Sequence, residues 1–296
     1  MEQEKKTNTF ISKVFGYIKL CRMHHYLKNV LILLPLVCAL LITDLNVWLK
    51  VIPGFFAFCL LSSAVYIFND LKDVNKDRNH PKKCHRPIAS GVVSIPEAIV
   101  LMAILLAGAI VLNFLTYSSY VSWILLGSYV IVNVCYTLGL KNVPIIDVVL
   151  LSSGYFIRTF YGSIIADVVI SNWMYLTILM VSFFLGLGKR RNELVQLSEN
   201  HTRKVLEFYN QQFLDKFMYL TLALGLVFYS LWCVDPSTLN DKMIWTIPFA
   251  VVLAMKYGLD IEKNSDGDPI EVIIHDKLLI LLGLAYAVTF GLLLYL

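Results

Sequence analysis

Residues 69–91 read NDLKDVNKDRNHPKKCHRPIASG, and they directly follow the apolar run IPGFFAFCLLSSAVYIF. Within this charged stretch Asp70, Asp73 and Asp77 are spaced i, i+3 and i+7, and Asn69 lies four residues before Asp73. If the preceding helix continues, these groups share one face, where carboxylates repel each other unless a cation lies between them. Magnesium takes hard oxygen ligands of this kind together with substrate phosphates. The spacing therefore predicts a magnesium site, with a solvated helix end held by Asp–Lys salt bridges as the alternative.

The composition is that of a membrane protein. Of the 296 residues, 58% are hydrophobic and 16% charged, with a mean hydropathy of +0.69, whereas soluble domains have about 45 to 50% apolar and about 25% charged residues. A helix needs about 20 mostly apolar residues to cross the hydrocarbon layer. We therefore predict one all-α membrane domain over residues 1–296. Its nine transmembrane helices are expected at approximately 29–43, 51–68, 94–115, 120–140, 145–165, 170–188, 213–234, 243–260 and 277–296.

The basic residues set the expected orientation, because short loops rich in lysine and arginine stay in the cytoplasm. With the amino terminus inside, 22 of the 25 lysines and arginines fall on inside segments, Lys50 and Lys242 fall outside, and Arg158 lies within a span. We expect a multi-pass protein of the plasma (inner) membrane whose amino terminus and active site face the cytoplasm. Residues 1–28 contain FISKVFGYIKL, whose spacing predicts an amphipathic helix in the membrane surface, with a linker as the alternative.

A second inside connection, CYTLGLKNVPIIDVVLLSSGYFIR, contains Tyr136, Lys141, Asp147 and Arg158. Arg158 follows Asp147 by 11 residues, which is roughly 16 Å along a helix. A charge at that depth is costly unless it faces a polar cavity or a partner. Arg158 is therefore a candidate substrate ligand, with a structural salt bridge to another helix as the alternative.

The pattern N-D-x-x-D-x-x-x-D-R, followed by H-P-x-K-x-x-R-P-I-A-S-G, resembles the first signature of the UbiA superfamily of intramembrane prenyltransferases. The segment Y-x-x-x-x-K-x-x-x-x-x-D-V at 136–148 is similar to a second element of that family. The resemblance implies nine helices around a lateral, lipid-open chamber. It also implies that the aspartates hold Mg²⁺ against a diphosphate, with the second element across the chamber.

The third inside connection differs from the better-known members of this family. Prenyltransferases with aromatic acceptors carry a second aspartate motif there, whereas this chain reads FFLGLGKRRNEL, with Lys189, Arg190 and Arg191. Bases bind phosphate directly, whereas carboxylates bind it through a metal. The change implies a second anionic group held without magnesium. The alternative is that these bases only keep this connection on the cytoplasmic side of the membrane, and it applies most of all to Arg191.

Together with RMHHYLKN at 22–29 and KYGLDIEKNSDGDPIEVIIHDK at 256–277, these motifs make nearly the whole chain resemble one branch, the decaprenyl-phosphate phosphoribosyltransferases. The branch's early element usually reads R-P-x-Q-W-x-K-N, so His24, His25 and Tyr26 replace its middle. The resemblance implies Mg²⁺-dependent transfer of 5-phosphoribose from phosphoribosyl pyrophosphate to a polyprenyl phosphate, with release of diphosphate. The resemblance further implies that the product is a cell-wall precursor.

The expected site follows from these motifs. We expect Asp70, Asp73 and Asp77 to be catalytic and, with Asn69, to bind the metal. The candidates for the donor phosphates are Lys28, Tyr66, Arg78, Lys83 and Arg86. The other candidate substrate-binding residues, undivided between donor and acceptor, are Tyr136, Lys141, Asp147, Arg158, Lys189 and Arg190.

Two other functions stay open at this point. One is a UbiA-type enzyme that moves a polyprenyl group from its diphosphate to an aromatic or small polar acceptor. The other is a membrane transporter, since charged groups within and beside spans also mark ion paths. Besides the two substrates we expect only the lipid bilayer as a partner and no nucleic acid. The oligomeric state stays open.

Overall fold

The computed structural model describes residues 2–81, 83–196, 204–236, 241–262 and 269–295, and within these ranges every regular element is a helix. Asp266, Gly267 and Asp268 of the last inside connection lie outside the described residues. The helices are α1 (Glu2–Cys21), α2 (Leu34–Cys38), α3 (Leu45–Lys72), α4 (Val74–Arg78), α5 (Ile95–Phe114), α6 (Val121–Leu138), α7 (Ile146–Ala166), α8 (Asn172–Gln196), α9 (Gln211–Cys233), α10 (Thr246–Glu262), α11 (Pro269–His275) and α12 (Lys277–Tyr295). The predicted all-α membrane class is confirmed.

Seven helical stretches of the described chain are long and apolar enough to cross a membrane: α3, α5, α6, α7, α9, Asp241–Glu262 and α12. α8 is also long, but its last part carries Lys189, Arg190 and Arg191 and it is not among the seven. The chain is therefore a multi-pass integral membrane protein.

The structure differs from the prediction at the first expected span, 29–43. A 3-10 helix runs over Met23–Leu33 and is followed by the five-residue α2. Pro35 lies at the start of α2, where its missing N–H does no harm, but it prevents a regular helix from running through this point. The chain then turns at Leu40, whose φ is 61°. We call residues 23–33 the Met23–Leu33 segment below.

α3 and α7 form the centre of the bundle. In their most apolar stretches 61% and 56% of the residues are buried, against 17 to 22% for α5, α6 and α12. A helix that is apolar on all sides and leaves most of its residues exposed faces lipid. The central helices therefore carry the buried polar groups, and the outer ones separate them from the hydrocarbon.

α1 is helical, as predicted, and lies across the ends of α3 and α5. Its Leu20 is fully buried beside Ile67 and Val93, and Lys13 Nζ donates to Glu97 Oε1 at 2.7 Å. Glu97 also accepts from the Ser94 backbone N–H at 2.9 Å, completing the capping box that begins α5. These contacts hold the amino-terminal helix beside the charged end of α3.

Candidate functional site

The first charged group, which we call the aspartate cluster, consists of Arg22, Asp70, Asp77 and Arg86. Arg22 Nη2 lies 2.5 Å and Arg86 Nη1 lies 3.1 Å from Asp70 Oδ1. The same Arg86 nitrogen lies 2.7 Å from Asp77 Oδ2. Both aspartates are buried, with 3% and 4% of their surface exposed. Two arginines thus supply the cations that these two neighbouring carboxylates require.

Asp73 is separated from that cluster because the regular helix is interrupted there. α3 ends at Lys72 and α4 begins at Val74, although the Asp73 N–H still donates to the Asn69 carbonyl at 3.0 Å. The Asp73 carboxylate faces Lys141, whose Nζ lies 3.1 Å from Oδ2. Beside it the Thr137 hydroxyl donates to Asn69 Oδ1 at 2.5 Å. Asn69 and Asp73 therefore contact residues of the second sequence element directly.

The other donor-phosphate candidates lie on α3, on α4, in the loop after α4 and in the Met23–Leu33 segment. The Arg22 guanidinium lies over the Tyr66 ring, 5.0 Å from its centroid, in a cation–π contact. Lys83 begins the short 3-10 turn Lys83–His85, and Arg78 is exposed at the end of α4. Lys28 is half-buried in the Met23–Leu33 segment. Tyr66 therefore lies against a member of the aspartate cluster.

The oxygen donors fit magnesium by their chemistry. Within the described ranges no group of three His, Cys, Asp or Glu side chains converges on one point. Mg²⁺ does not require such a group, because it uses one or two carboxylates and fills its shell with waters and substrate phosphates. Asn69 Oδ1 accepts from the Thr137 hydroxyl, and the Asp73 carboxylate accepts from the Lys141 ammonium. A divalent cation bound to these oxygens would replace both donors. Asp73 is also the most exposed of the three carboxylates, at 25% of its side chain.

A second charged group, the Asp147 cluster, joins α6, α7 and α8. Arg190 Nε donates to Asp147 Oδ2 at 2.5 Å, and its Nη2 donates to the Tyr136 hydroxyl at 2.9 Å. Its Nη1 donates to Glu193 on the same helix. The Tyr209 hydroxyl donates to the other Asp147 oxygen at 2.7 Å. Burial raises the pKa of Tyr209 to about 12, and the bond to Asp147 adds to the shift, so Tyr209 stays a donor at physiological pH.

Arg190 and Asp147 are both completely buried. Since Arg190 already has two carboxylate partners, its charge is balanced within the protein, and the pair holds α7 to α8. Arg191 is also paired, with its Nε 3.0 Å from Asp215 Oδ1 of α9. Lys189 is half-buried and lies next to this network in the chain. The three consecutive bases therefore occupy three different environments.

Arg158 forms a third polar group deeper in the bundle. Its Nε donates to Asn29 Oδ1 at 2.7 Å, its Nη1 to the Gly154 carbonyl at 2.6 Å, and its Nη2 to the Tyr129 hydroxyl at 3.1 Å. The guanidinium also lies 5.2 Å from the centroid of the Phe58 ring. Among the described residues, all acceptors of Arg158 are neutral. These contacts are hydrogen bonds and not the salt bridge that was the alternative.

Sequence reasoning had no role for several residues that these groups contain. Arg22 and Asn29 lie in RMHHYLKN, where only their match to a motif drew attention to them. Thr137 and Tyr129 are ordinary residues of α6, Tyr209 lies just before α9, and no local pattern marks them. Their parts depend on how helices that are distant in the chain come together.

The fold and these buried charges define a multi-pass membrane protein with charged groups at the ends of its helices. The model of the UbiA prenyltransferase family matches residues 32–191, which is more than half of the chain. The chain belongs to the UbiA prenyltransferase family.

Relatives match over nearly the full length. The decaprenyl-phosphate phosphoribosyltransferase of Mycolicibacterium smegmatis is 34% identical over an alignment 303 residues long. The alignment covers 95% of this chain and 93% of that protein. The protein of the same description from Corynebacterium glutamicum is 33% identical, covering 97% and 89%. A UbiA homologue from Archaeoglobus fulgidus, solved with GPP and Mg²⁺, has a TM-score of 0.70 at 16% identity over 94% of this chain and 98% of that one. The UbiA-type fold is thereby confirmed.

Proposed function

We propose that this protein transfers 5-phosphoribose from phosphoribosyl pyrophosphate to a polyprenyl phosphate of decaprenyl type, in a reaction that depends on Mg²⁺ and releases diphosphate. The observation that carries the proposal is the contrast between two charged helix ends. Asp70, Asp73 and Asp77 stand at the end of α3, whereas Lys189, Arg190 and Arg191 stand at the end of α8. One end suits a metal-bound diphosphate. At the other end Arg190 and Arg191 are paired with carboxylates, and Lys189 is the base that suits an anion bound without metal. The two phosphoribosyltransferase relatives support the same substrates.

The reaction exchanges one bond at the anomeric carbon. The C1–O bond to diphosphate breaks, its electron pair leaves with the diphosphate oxygen, and a C1–O bond forms to an oxygen of the lipid phosphate. A lipid phosphate is already anionic, so its attack requires no strong general base. The main task for the protein is therefore to hold two phosphorylated groups in line at close range.

We assign the donor to the aspartate cluster and its surroundings. Asn69 and Asp73 would hold Mg²⁺, with Asp70 and Asp77 as further or water-mediated ligands. When bound, the metal supplies positive charge that stabilises the leaving diphosphate. Arg22, Arg86 and Lys141 contact carboxylates in the structure, and each can turn to a phosphate oxygen when the donor brings its own negative charge.

We assign the acceptor phosphate to the neighbourhood of Lys189. Arg190 serves this site indirectly, because it is buried and directed at Asp147, Glu193 and Tyr136. The charged ends of the helices face the cytoplasm in our proposal, which the excess of inside lysine and arginine supports. A water-soluble donor then reaches the site from the cytoplasmic side of the plasma membrane. The lipid acceptor reaches it from within the bilayer.

The test uses purified protein with Mg²⁺, polyprenyl phosphate and phosphoribosyl pyrophosphate labelled in the ribose. Label should enter the lipid phase, and chelation of the metal should prevent it. The matched reaction supplies a labelled polyprenyl diphosphate with an aromatic acceptor instead. Product in that reaction alone would assign the protein to the prenyltransferases with aromatic acceptors, and flux across liposomes without product would support a transporter.

A further inference from the structure

We propose that Arg158 is a positioning residue: it fixes the Met23–Leu33 segment against α7, so that Arg22, just before the segment, lies on Asp70 where the donor binds. The proposal rests on the proposed function, since it concerns how the donor site is assembled. It also changes the role expected for Arg158, which sequence reasoning treated as a phosphate ligand.

The contact between Arg158 and the segment is specific. Asn29 is completely buried and accepts from Arg158 Nε at 2.7 Å. Two other nitrogens of the same guanidinium donate to Gly154 and Tyr129, which belong to α7 and α6. A guanidinium is a rigid planar fork with five N–H donors, so it can hold three acceptors from three elements in one geometry. A lysine ammonium cannot reproduce this arrangement.

The backbones of α7 and the segment also approach each other closely. A Cβ atom on Gly162 would lie 2.0 Å from the Ile32 carbonyl oxygen, so only glycine allows this contact. Gly162 follows Arg158 by one helical turn, and Ile32 follows Asn29 by three residues. The two contacts therefore lie side by side and seat the segment along α7.

α3 holds the other side of the segment. Asn29 Nδ2 donates to Cys59 Sγ at 3.2 Å, and the Tyr26 hydroxyl lies 2.9 Å from Ser63 Oγ. Ser63 Oγ in turn donates to the Cys21 carbonyl at 2.7 Å, next to Arg22. The segment is thus held between the two central helices, with the donor site at its beginning.

Arg22 depends on this arrangement because its backbone is unusual. Its φ and ψ are 50° and 49°, in the left-handed region that is unfavourable for residues other than glycine. Such a conformation persists only where the surrounding contacts impose it. In this conformation its Nη2 lies 2.5 Å from Asp70 Oδ1.

Distance argues against a direct role for Arg158. Arg22 and Asn29 are seven residues apart, and a 3-10 helix rises by about 2 Å per residue, so the contact between Arg158 and Asn29 lies about 14 Å along the segment from Arg22. Three nitrogens of Arg158 donate to protein acceptors, and Arg22 rather than Arg158 pairs with Asp70. Arg158 therefore acts on the donor site through the segment.

The test is Arg158→Lys in the full-length protein, with two measurements. The first is the split between the donor KM and kcat in the transfer assay. The second is the rate at which N-ethylmaleimide modifies Cys59, followed by peptide mass spectrometry relative to the equally buried Cys233. Tyr161→Phe is the matched control, because it removes a buried α7 hydrogen bond, to Asn113, that does not involve the segment.

We expect Arg158→Lys to raise the donor KM about tenfold with a smaller change in kcat, as loss of a hydrogen bond to a charged group implies. Cys59 should be modified faster while Cys233 is not, and Tyr161→Phe should change neither quantity. If Arg158→Lys does not fold, Tyr129→Phe removes one acceptor and should produce a smaller shift in the same direction. An unchanged Cys59 rate or an unchanged donor KM overturns the proposal. If the wild type transfers no phosphoribose, the proposed function fails, and the Cys59 rates still decide whether Arg158 holds the segment.

Discussion

Arg86 joins Asp70 to Asp77 through a single nitrogen, Nη1, which lies 3.1 Å from one carboxylate and 2.7 Å from the other. These two aspartates come from α3 and α4, and Arg86 comes from the loop that follows. The loop HRPIASG is therefore held against the helix end by the carboxylates that we assign to the donor site. Charge balance and loop position depend on the same contact.

Arg86→Gln should abolish transfer and lower thermal stability. It leaves two buried carboxylates with one cation fewer, and an unpaired buried charge costs several kcal/mol. The measurements are the transfer rate and the thermal unfolding midpoint in detergent. Lys72→Gln removes an exposed base nearby and should leave both nearly unchanged. Wild-type activity in Arg86→Gln would contradict its role at the donor phosphates.

Asp73→Asn should abolish Mg²⁺-dependent turnover while the protein remains folded. Asp73 is partly exposed and its partner is a lysine, so its loss costs about 1 kcal/mol or less of stability, whereas the metal loses an anionic ligand. The activity is measured over a Mg²⁺ titration, together with the unfolding midpoint. Asp167→Asn is the control, because Asn tolerates the left-handed backbone of that residue. An active Asp73→Asn protein would exclude Asp73 as a metal ligand.

Asp147→Asn should destabilise the protein far more than Asp215→Asn does. Both aspartates pair with consecutive arginines of α8, but Asp147 and Arg190 are completely buried, while 31% of the Asp215 side chain is exposed. Breaking a completely buried pair costs about 3 to 5 kcal/mol. The loss of Asp215 costs less, because Asp215 is partly solvated and Arg191 keeps Asn192 and the Ile261 carbonyl as acceptors. Thermal unfolding of the two variants provides the comparison. Equal decreases in the unfolding midpoint of the two variants would show that Asp147 does not balance the charge of Arg190.

Gly162→Ala should be poorly tolerated, because the added Cβ would lie 2.0 Å from the Ile32 carbonyl oxygen. The expected result is a lower yield of folded protein on size-exclusion chromatography, together with a raised donor KM. Gly127→Ala is the matched control in another membrane helix, where an added Cβ meets nothing within 4 Å. If both variants behave like the wild type, the close approach between α7 and the Met23–Leu33 segment is not required.

Patterns within single stretches predicted much of the fold and of the first charged group. The hydropathy of the long apolar runs predicted the helices, and the i, i+3, i+7 spacing placed Asp70 and Asp77 together beside a cation. That cation is Arg86, which sequence reasoning assigned to phosphate alone. Spacing reports which residues share a helix face, but it does not report which side chain from another segment arrives there.

The sequence was least informative where segments distant in the chain meet. Residues 29–43 were expected to form a span because their composition is apolar, but Pro35 and the contacts of Asn29 produce a 3-10 helix instead. Arg158 was expected to require an anion because it is charged and deep, yet an amide, a carbonyl and a phenol accept its hydrogen bonds. Both outcomes depend on neighbours that no local pattern identifies.

The most direct test of the account follows two labels in one reaction. Phosphoribosyl pyrophosphate carries carbon-14 in the ribose and phosphorus-32 in the terminal phosphate of the diphosphate, and it is mixed with the purified protein, Mg²⁺ and polyprenyl phosphate. The account predicts that carbon-14 enters the lipid while phosphorus-32 stays in the aqueous phase as diphosphate. Phosphorus-32 in the lipid, or no transfer of carbon-14 under conditions where a polyprenyl diphosphate is consumed, would contradict it.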